Sequence, residues 1–333
     1  MDRPALGTLL ALAFVGLRGG DGRELPPLPA VERPLGLPAL ATPPDPDEER
    51  AAELGRRLFF DPVLSADRSL ACASCHVPER GFADAAAFSA GVGGARTLRN
   101  APSLFNRALG TSFFWDGRAA TLEQQVLMPI ADPREMGLAL DDAVERLRAD
   151  TELRAAFEAT FGTPPDRDEL ARALAAYVRR LVLGDSPVDR FRAGAFDALS
   201  DEERAGLWFY ESRGGCWRCH AGANFSDEDF HNTGVGARDG VSEEGRAAVT
   251  GVPEDRGRFK TPTLRGVTLT APYMHDGSLA DLEAVVAFYR GGGRANANLD
   301  PLLAPLEMTD ADAHNLVAFL RALSRSAEGP TDR

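Results

Sequence analysis

Lysine occurs once, at Lys260, while histidine occurs five times and cysteine four times in 333 residues. Positive charge is therefore carried by arginine, and it forms neither a basic cluster nor an alternation with aromatic residues. With a net charge of −13 and a pI ≈ 5.0, the chain lacks the electrostatic footprint of a nucleic-acid binder. Long hydrophobic runs are missing too, except from Ala5 to Leu17, behind Arg3. That run has the length of a secretory apolar segment and is too short to span a bilayer. Residues 1–22 are expected to be a signal peptide or N-terminal anchor. The destination is then the periplasm, with no spanning segment in the mature chain. Strand-type alternation is scarce and helical periodicity recurs, so the fold class is mainly α.

All four cysteines fall in two motifs, Cys72-Ala73-Ser74-Cys75-His76 and Cys216-Trp217-Arg218-Cys219-His220. Two thiols three residues apart can form thioethers with the vinyl groups of one haem, and the next imidazole can serve as proximal iron ligand. Two covalent c-type haems are the expectation. A zinc site or a pair of redox disulfides uses the same residues in other ways.

The length allows two domains, one haem in each. Pro26 to Pro46 holds eight prolines and reads as an extended tether, with residues 23–46 a linker. The expected division is a first haem domain over 47–190, a second over 191–326, and a tail over 327–333. These are two cytochrome c-like domains with long irregular loops. A helix is expected from Asp47 to Asp61-Pro62, others near 121–128, 141–149, 152–161 and 168–183. Boxes at Ser200/Glu203, Ser278/Asp281 and Thr309/Asp312 open three more. From Phe225 to Pro272 glycine, proline and charge predict irregular chain with a short hairpin. Beyond the two haem motifs, little internal repetition is visible.

His76 is the only histidine before His220. The sixth position of the first haem is left to His231, His275 or His314 from the second half, to Met128 or Met136, or to no ligand at all. An open site with one proximal histidine is what a peroxide-activating haem needs.

From about Leu54 to Leu323 the chain resembles the bacterial di-haem cytochrome c peroxidase family, and within it the MauG-like branch. The resemblance rests on Phe114-Trp115-Asp116-Gly117-Arg118, on Gln125, Pro129 and Glu135-Met136, on Thr261-Pro262-Thr263-Leu264-Arg265, and on Tyr273-Met274-His275-Asp276-Gly277. It implies that Trp115 relays electrons between the haems. Gln125 and Glu135 would line the peroxide side of the first haem, and Pro129 would shape that pocket. A distal carboxylate can take a proton from one peroxide oxygen and deliver it to the other, which makes Glu135 the candidate acid–base. The resemblance also implies a calcium ion held by the Asn100 side chain and the carbonyls of Thr270 and Pro272. Oxygen ligands suit that ion; the plain alternative is that Asn100 caps a turn and Thr270-Ala271-Pro272 is only a loop.

Two departures from ordinary members stand out. No histidine follows His76 where the first haem's labile ligand would lie, and Tyr289 occupies the place of the second haem's axial methionine. Met274 and Met308 are the alternative ligands, and a core role for Tyr289 is the plain structural one. Phenolate ligation favours oxidised iron, whereas thioether sulfur favours the ferrous state. His275 is expected near the second haem, His231 near that haem or on a loop, and His314 on an exposed helix flank. The functional expectation is an exported peroxidase-type oxidoreductase that uses hydrogen peroxide. Its partner is a small cytochrome c or cupredoxin as electron donor, or, in a MauG-like maturase, a protein whose residues are oxidised. A non-catalytic di-haem electron carrier is the third alternative.

Overall fold

Acidic first turns or side-chain caps mark the start of every described helix but the short one at Ala247–Thr250. In the computed structural model, which describes residues 25–30, 34–38 and 46–324, the helices are α1 (Pro46–Phe60), α2 (Leu122–Ala131), α3 (Leu140–Ala149), α4 (Thr151–Phe161), α5 (Arg167–Arg179), α6 (Pro187–Arg192), α7 (Asp201–Glu211), α8 (Ala247–Thr250), α9 (Leu282–Arg290) and α10 (Asp310–Ala322). The segments assigned to 1–22 and 327–333 lie outside the described residues. Asp47, Glu48 and Glu49 complement the dipole of α1, and Asp61 then caps the 3₁₀ turn that ends it. The boxes at Ser200/Glu203 and Thr309/Asp312 open α7 and α10 as their spacing predicts.

Three expectations differ from what is found. The box at Ser278/Asp281 does not form: Asp281 itself caps α9, accepting the Ala284 N–H at 2.7 Å. Ser278 belongs to the preceding turn, its N–H donating to Asp276 at 3.0 Å. Helix α5 stops at Arg179 rather than Leu183. The described parts of the Pro-rich tether lie against the body. Proline supplies carbonyls without N–H donors, and arginines answer them: Arg56 donates to Pro26 O, Arg180 to Pro29 O and Arg265 to Gly36 O. Arg265 is itself buried in a bidentate pair with Asp189 at 2.7 and 2.8 Å.

The mainly α fold has two helix pairs at its centre. Helix α1 packs on α5, where a Cβ at Gly55 would overlap the carbonyl of Ala173. Helix α7 packs on α10, where a Cβ at Gly206 would overlap the carbonyl of Asn315 in the same way. One hydrophobic cluster runs through Leu58, Phe157 and Leu174, and another through Phe209, Leu316 and Phe319. Segment 225–272 is irregular apart from short helical turns and one antiparallel pair, β1 (Phe230–His231) with β2 (Phe259–Lys260).

The two halves repeat far more than their haem motifs alone indicate. Residues 100–129 and 260–289 correspond at a constant spacing of 160. Phe113 bridges Ala119 as Tyr273 bridges Leu279. Phe114 and Met274 share positive φ, as do Gly117 and Gly277. Thr121 caps α2 and Asp281 caps α9. In this repeat Trp115 corresponds to His275, Asn100 to Lys260 and Pro129 to Tyr289. Nine of the thirty paired residues are identical, among them Pro102/Pro262, Asp116/Asp276 and Gly117/Gly277, so side chains and backbone torsions both carry the correspondence.

Candidate haem sites and the seam between them

Each CxxCH motif forms a 3₁₀ turn with its histidine already oriented. The His76 Nδ1 lies 2.9 Å from the carbonyl oxygen of Phe82, and the His220 Nδ1 lies 3.1 Å from that of Phe225. A carbonyl only accepts, so Nδ1 carries the proton in both rings and Nε2 is left to bind metal, the usual arrangement of a ligating histidine. Burial lowers the basicity of both imidazoles, which favours the neutral, ligating form. The four cysteines are free. Burial pushes the Cys72 thiol up to about 12 and the Cys216 thiol up to about 11. Two available thiols and one oriented imidazole fit a covalently attached haem in each half.

The first motif opens on a cleft of about 680 Å³, counting its mouth, and Gln125, Pro129 and Glu135 line it together with Cys72, Cys75 and His76. Burial, and then the charge of Asp132, raise the Glu135 carboxyl above its ordinary value, with Arg118 opposing them. Its main chain is pinned by Val92, whose N–H donates to Glu135 O at 2.9 Å. Met128 faces outward at 39% exposure. Met136 is buried in the first-half core and also lines the cleft. Pro129 sits inside α2, where proline forfeits a helix hydrogen bond.

In the second half Tyr289 occupies the repeat position of Pro129. Its half-buried side chain lies near the haem-attachment cysteines; burial, then Cys219 and Cys216, push its pKa upward. Met308 is part of the hydrophobic core, and Met274 sits in the bridged turn at positive φ. His231 is engaged at both nitrogens, by Asp227 at 2.9 Å and Asp300 at 2.6 Å. Cys219, Asp227 and His231 approach closely enough to share an ion, but thioether formation at Cys219 removes that set. His314 is exposed.

Trp115 and His275 meet at the seam between the halves, with ring centroids 6.4 Å apart. The indole Nε1 of Trp115 donates to Asn100 O at 2.9 Å. Reciprocal main-chain bonds close the seam: Asn100 N donates to His275 O and Lys260 N to Trp115 O, both at 2.8 Å. His275 stacks on Phe259 with 3.6 Å between centroids, and its Nε2 is 2.9 Å from Glu243, which also pairs with Arg99. The Asn100 amide nitrogen donates to Ala86 O at 3.0 Å, so its oxygen faces away from that bond. Motif spacing alone did not single out Glu243, Glu228, Arg246 or Lys260, although the rarity of lysine was a signal for the last.

Two CxxCH turns, each with its imidazole oriented, point to a c-type di-haem protein. The family model for di-haem cytochrome c peroxidase matches residues 49–197. The methylamine utilization protein MauG of Methylorubrum extorquens is 39% identical over 272 residues, covering 81% of this chain and 77% of that protein. Cytochrome c551 peroxidase of Pseudomonas aeruginosa is 36% identical over 287 residues, covering 84% and 80%. Among solved structures, a MauG-like protein associated with microbial copper homeostasis superposes with a TM-score of 0.78 at 35% identity, covering 86% of this chain and 94% of that one. The di-haem peroxidase BthA of Burkholderia thailandensis gives 0.73 at 28% identity, covering 90% and 93%. The chain belongs to the di-haem cytochrome c peroxidase family and is a peroxidase-type oxidoreductase carrying two c-type haems. Among the described residues no helix is long and apolar enough to cross a membrane.

Proposed function

We propose that the protein activates hydrogen peroxide at the first haem and moves electrons through Trp115 between that haem and the second. The observation that carries this reading is the His76 cleft: Glu135 and Gln125 line it, while the repeat position of Tyr289 holds Pro129, which has no ligand atom. When bound, haem supplies the iron redox chemistry that cleaves the O–O bond. Glu135 takes the proton from one peroxide oxygen and returns it to the other, and Gln125 orients the peroxide by hydrogen bonding. Pro129, which offers no ligand atom, would leave the cleft beside His76 open to peroxide. Tyr289 would hold the second haem together with His220, and a phenolate there would favour oxidised iron, suiting that haem to store oxidising equivalents.

In this reading each half, 47–190 and 191–326, carries one haem, and the chain is exported to the periplasm. A calcium ion bound by Asn100, Thr270 and Pro272 braces the seam beside Trp115. The partner is a small cytochrome c or cupredoxin that donates electrons. Oxidation of residues on a partner protein is the second reading, favoured by the pairing of Pro129 with Tyr289 and by the absence of a distal histidine. A mere electron carrier has no use for Glu135 and Gln125 in a cleft.

The haem-loaded diferric protein is expected to react with hydrogen peroxide without prior reduction, giving optical changes at both haems. A reduced small cytochrome c added next should be oxidised in a ratio of about two per peroxide. Inertness of both the diferric and the reduced protein would remove the peroxidase reading. Reaction with peroxide but not with the cytochrome would favour a partner-protein substrate.

A further inference from the structure

The repeat that pairs Trp115 with His275 also gives the calcium position proposed at Asn100 a counterpart. Shifted by the same spacing, Asn100, Thr270 and Pro272 become Lys260, Gly110 and Ser112. Ser112 is a partner of the Lys260 ammonium there, its hydroxyl 3.0 Å from Nζ. The other two acceptors are the Glu228 carboxylate at 2.6 Å and the Glu228 carbonyl at 3.1 Å. Three hydrogens meet three oxygens, so the ammonium is saturated as a small metal ion would be. The Phe230 ring lies 5.5 Å from Nζ. Glu228 is shared with Arg107 at 3.0 and 3.1 Å and with the Thr111 amide at 3.2 Å, so the cluster draws on both halves.

Composition sharpens the point. Of 37 basic residues only this one is lysine, and it is 6% exposed. A guanidinium spreads its donors over a flat fork, whereas a compact ammonium points three hydrogens from one atom. The same residue's main-chain N–H holds Trp115 O. Arg246 holds the next two carbonyls of that loop, donating to Asp116 O at 2.8 Å and Gly117 O at 2.9 Å. The loop that carries Trp115 belongs to the first half but is fastened by cations of the second.

We propose that Lys260 is a positioning residue for electron transfer between the haems: its ammonium is a built-in cation at the repeat counterpart of the calcium position, and it seats Trp115 against the second half. The proposal rests on the reading of Trp115 as the relay. Hydrogen peroxide takes up two electrons and two protons to give two waters; one of those electrons crosses Trp115 from the second haem and the other comes from the first.

The test uses the full haem-loaded chain as Lys260→Met, with Arg246→Ala as a milder second variant and Trp115→Phe as control. After mixing with hydrogen peroxide, the optical change at each haem is timed separately. Amide hydrogen exchange is followed across residues 111–117. Lys260→Met is expected to slow the second haem's response by about tenfold or more, to leave the first haem's response unchanged, and to speed exchange across 111–117. Arg246→Ala should give the same pattern more weakly. Unchanged exchange and an unchanged second-haem rate in both variants would overturn the proposal, as would equal slowing of both haems with a lowered melting temperature. If Trp115→Phe leaves the second haem's rate intact, the relay reading itself fails; if it slows that rate while Lys260→Met does not, only the positioning role fails.

Discussion

Glu135→Gln is expected to slow the reaction of the haem-loaded protein with hydrogen peroxide by about 10²–10⁴-fold, the usual contribution of a positioned acid–base group. Both haem spectra should stay as they are. Glutamine keeps the size and hydrogen-bonding capacity of the side chain and removes only its ability to carry the proton between peroxide oxygens. The effect has a pH signature. Burial and Asp132 raise the Glu135 carboxyl above its ordinary value, so the protonated form persists to higher pH than for an exposed glutamate. Only the carboxylate can accept the first proton, so the wild-type rate should rise with pH through that elevated value and then level off. The glutamine variant should lack this limb. Stopped-flow rates across the acid range check both points, and an unaltered rate and profile would take Glu135 out of the chemistry.

Pro129→His is expected to have a larger effect still, taking the peroxide reaction below detection. The repeat places residue 129 where Tyr289 stands in the second half, each in the last turns of an equivalent helix, α2 or α9. A histidine there brings a ligand nitrogen to the open face of the first haem and also restores the helix N–H that proline lacks. The first haem should change from high-spin to low-spin, as seen by electron paramagnetic resonance, and peroxide should then find no vacant position. A variant that stays high-spin and reactive would show that residue 129 does not govern access.

Much of this was legible in the chain because it is local. CxxCH spacing fixes haem attachment, and the boxes at Ser200 and Thr309 fix two helix starts, since both depend on residues within a turn of one another. Ser278 misled because the same short-range pattern also fits the bridged turn from Tyr273 to Leu279, and the tertiary repeat decided between them. The Pro-rich segment reads as a tether from composition, yet its carbonyls are met by Arg56, Arg180 and Arg265, which lie far away in sequence. The repeat itself was hidden because its identical residues are scattered among substitutions such as Trp115 for His275 and Pro129 for Tyr289, while positive φ is kept at Phe114, Met274, Gly117 and Gly277. The seam depends wholly on such distant pairings. Lys260 with Ser112 and Glu228, and His275 with Glu243, have no signature in spacing.

The central claim is an asymmetry between related positions: the first haem open at Pro129, the second closed by Tyr289. Optical and electron paramagnetic resonance spectroscopy of the diferric protein tests it most directly. The account predicts one high-spin and one low-spin haem with no methionine-to-iron charge-transfer band. Two low-spin haems, or a methionine band, would contradict it.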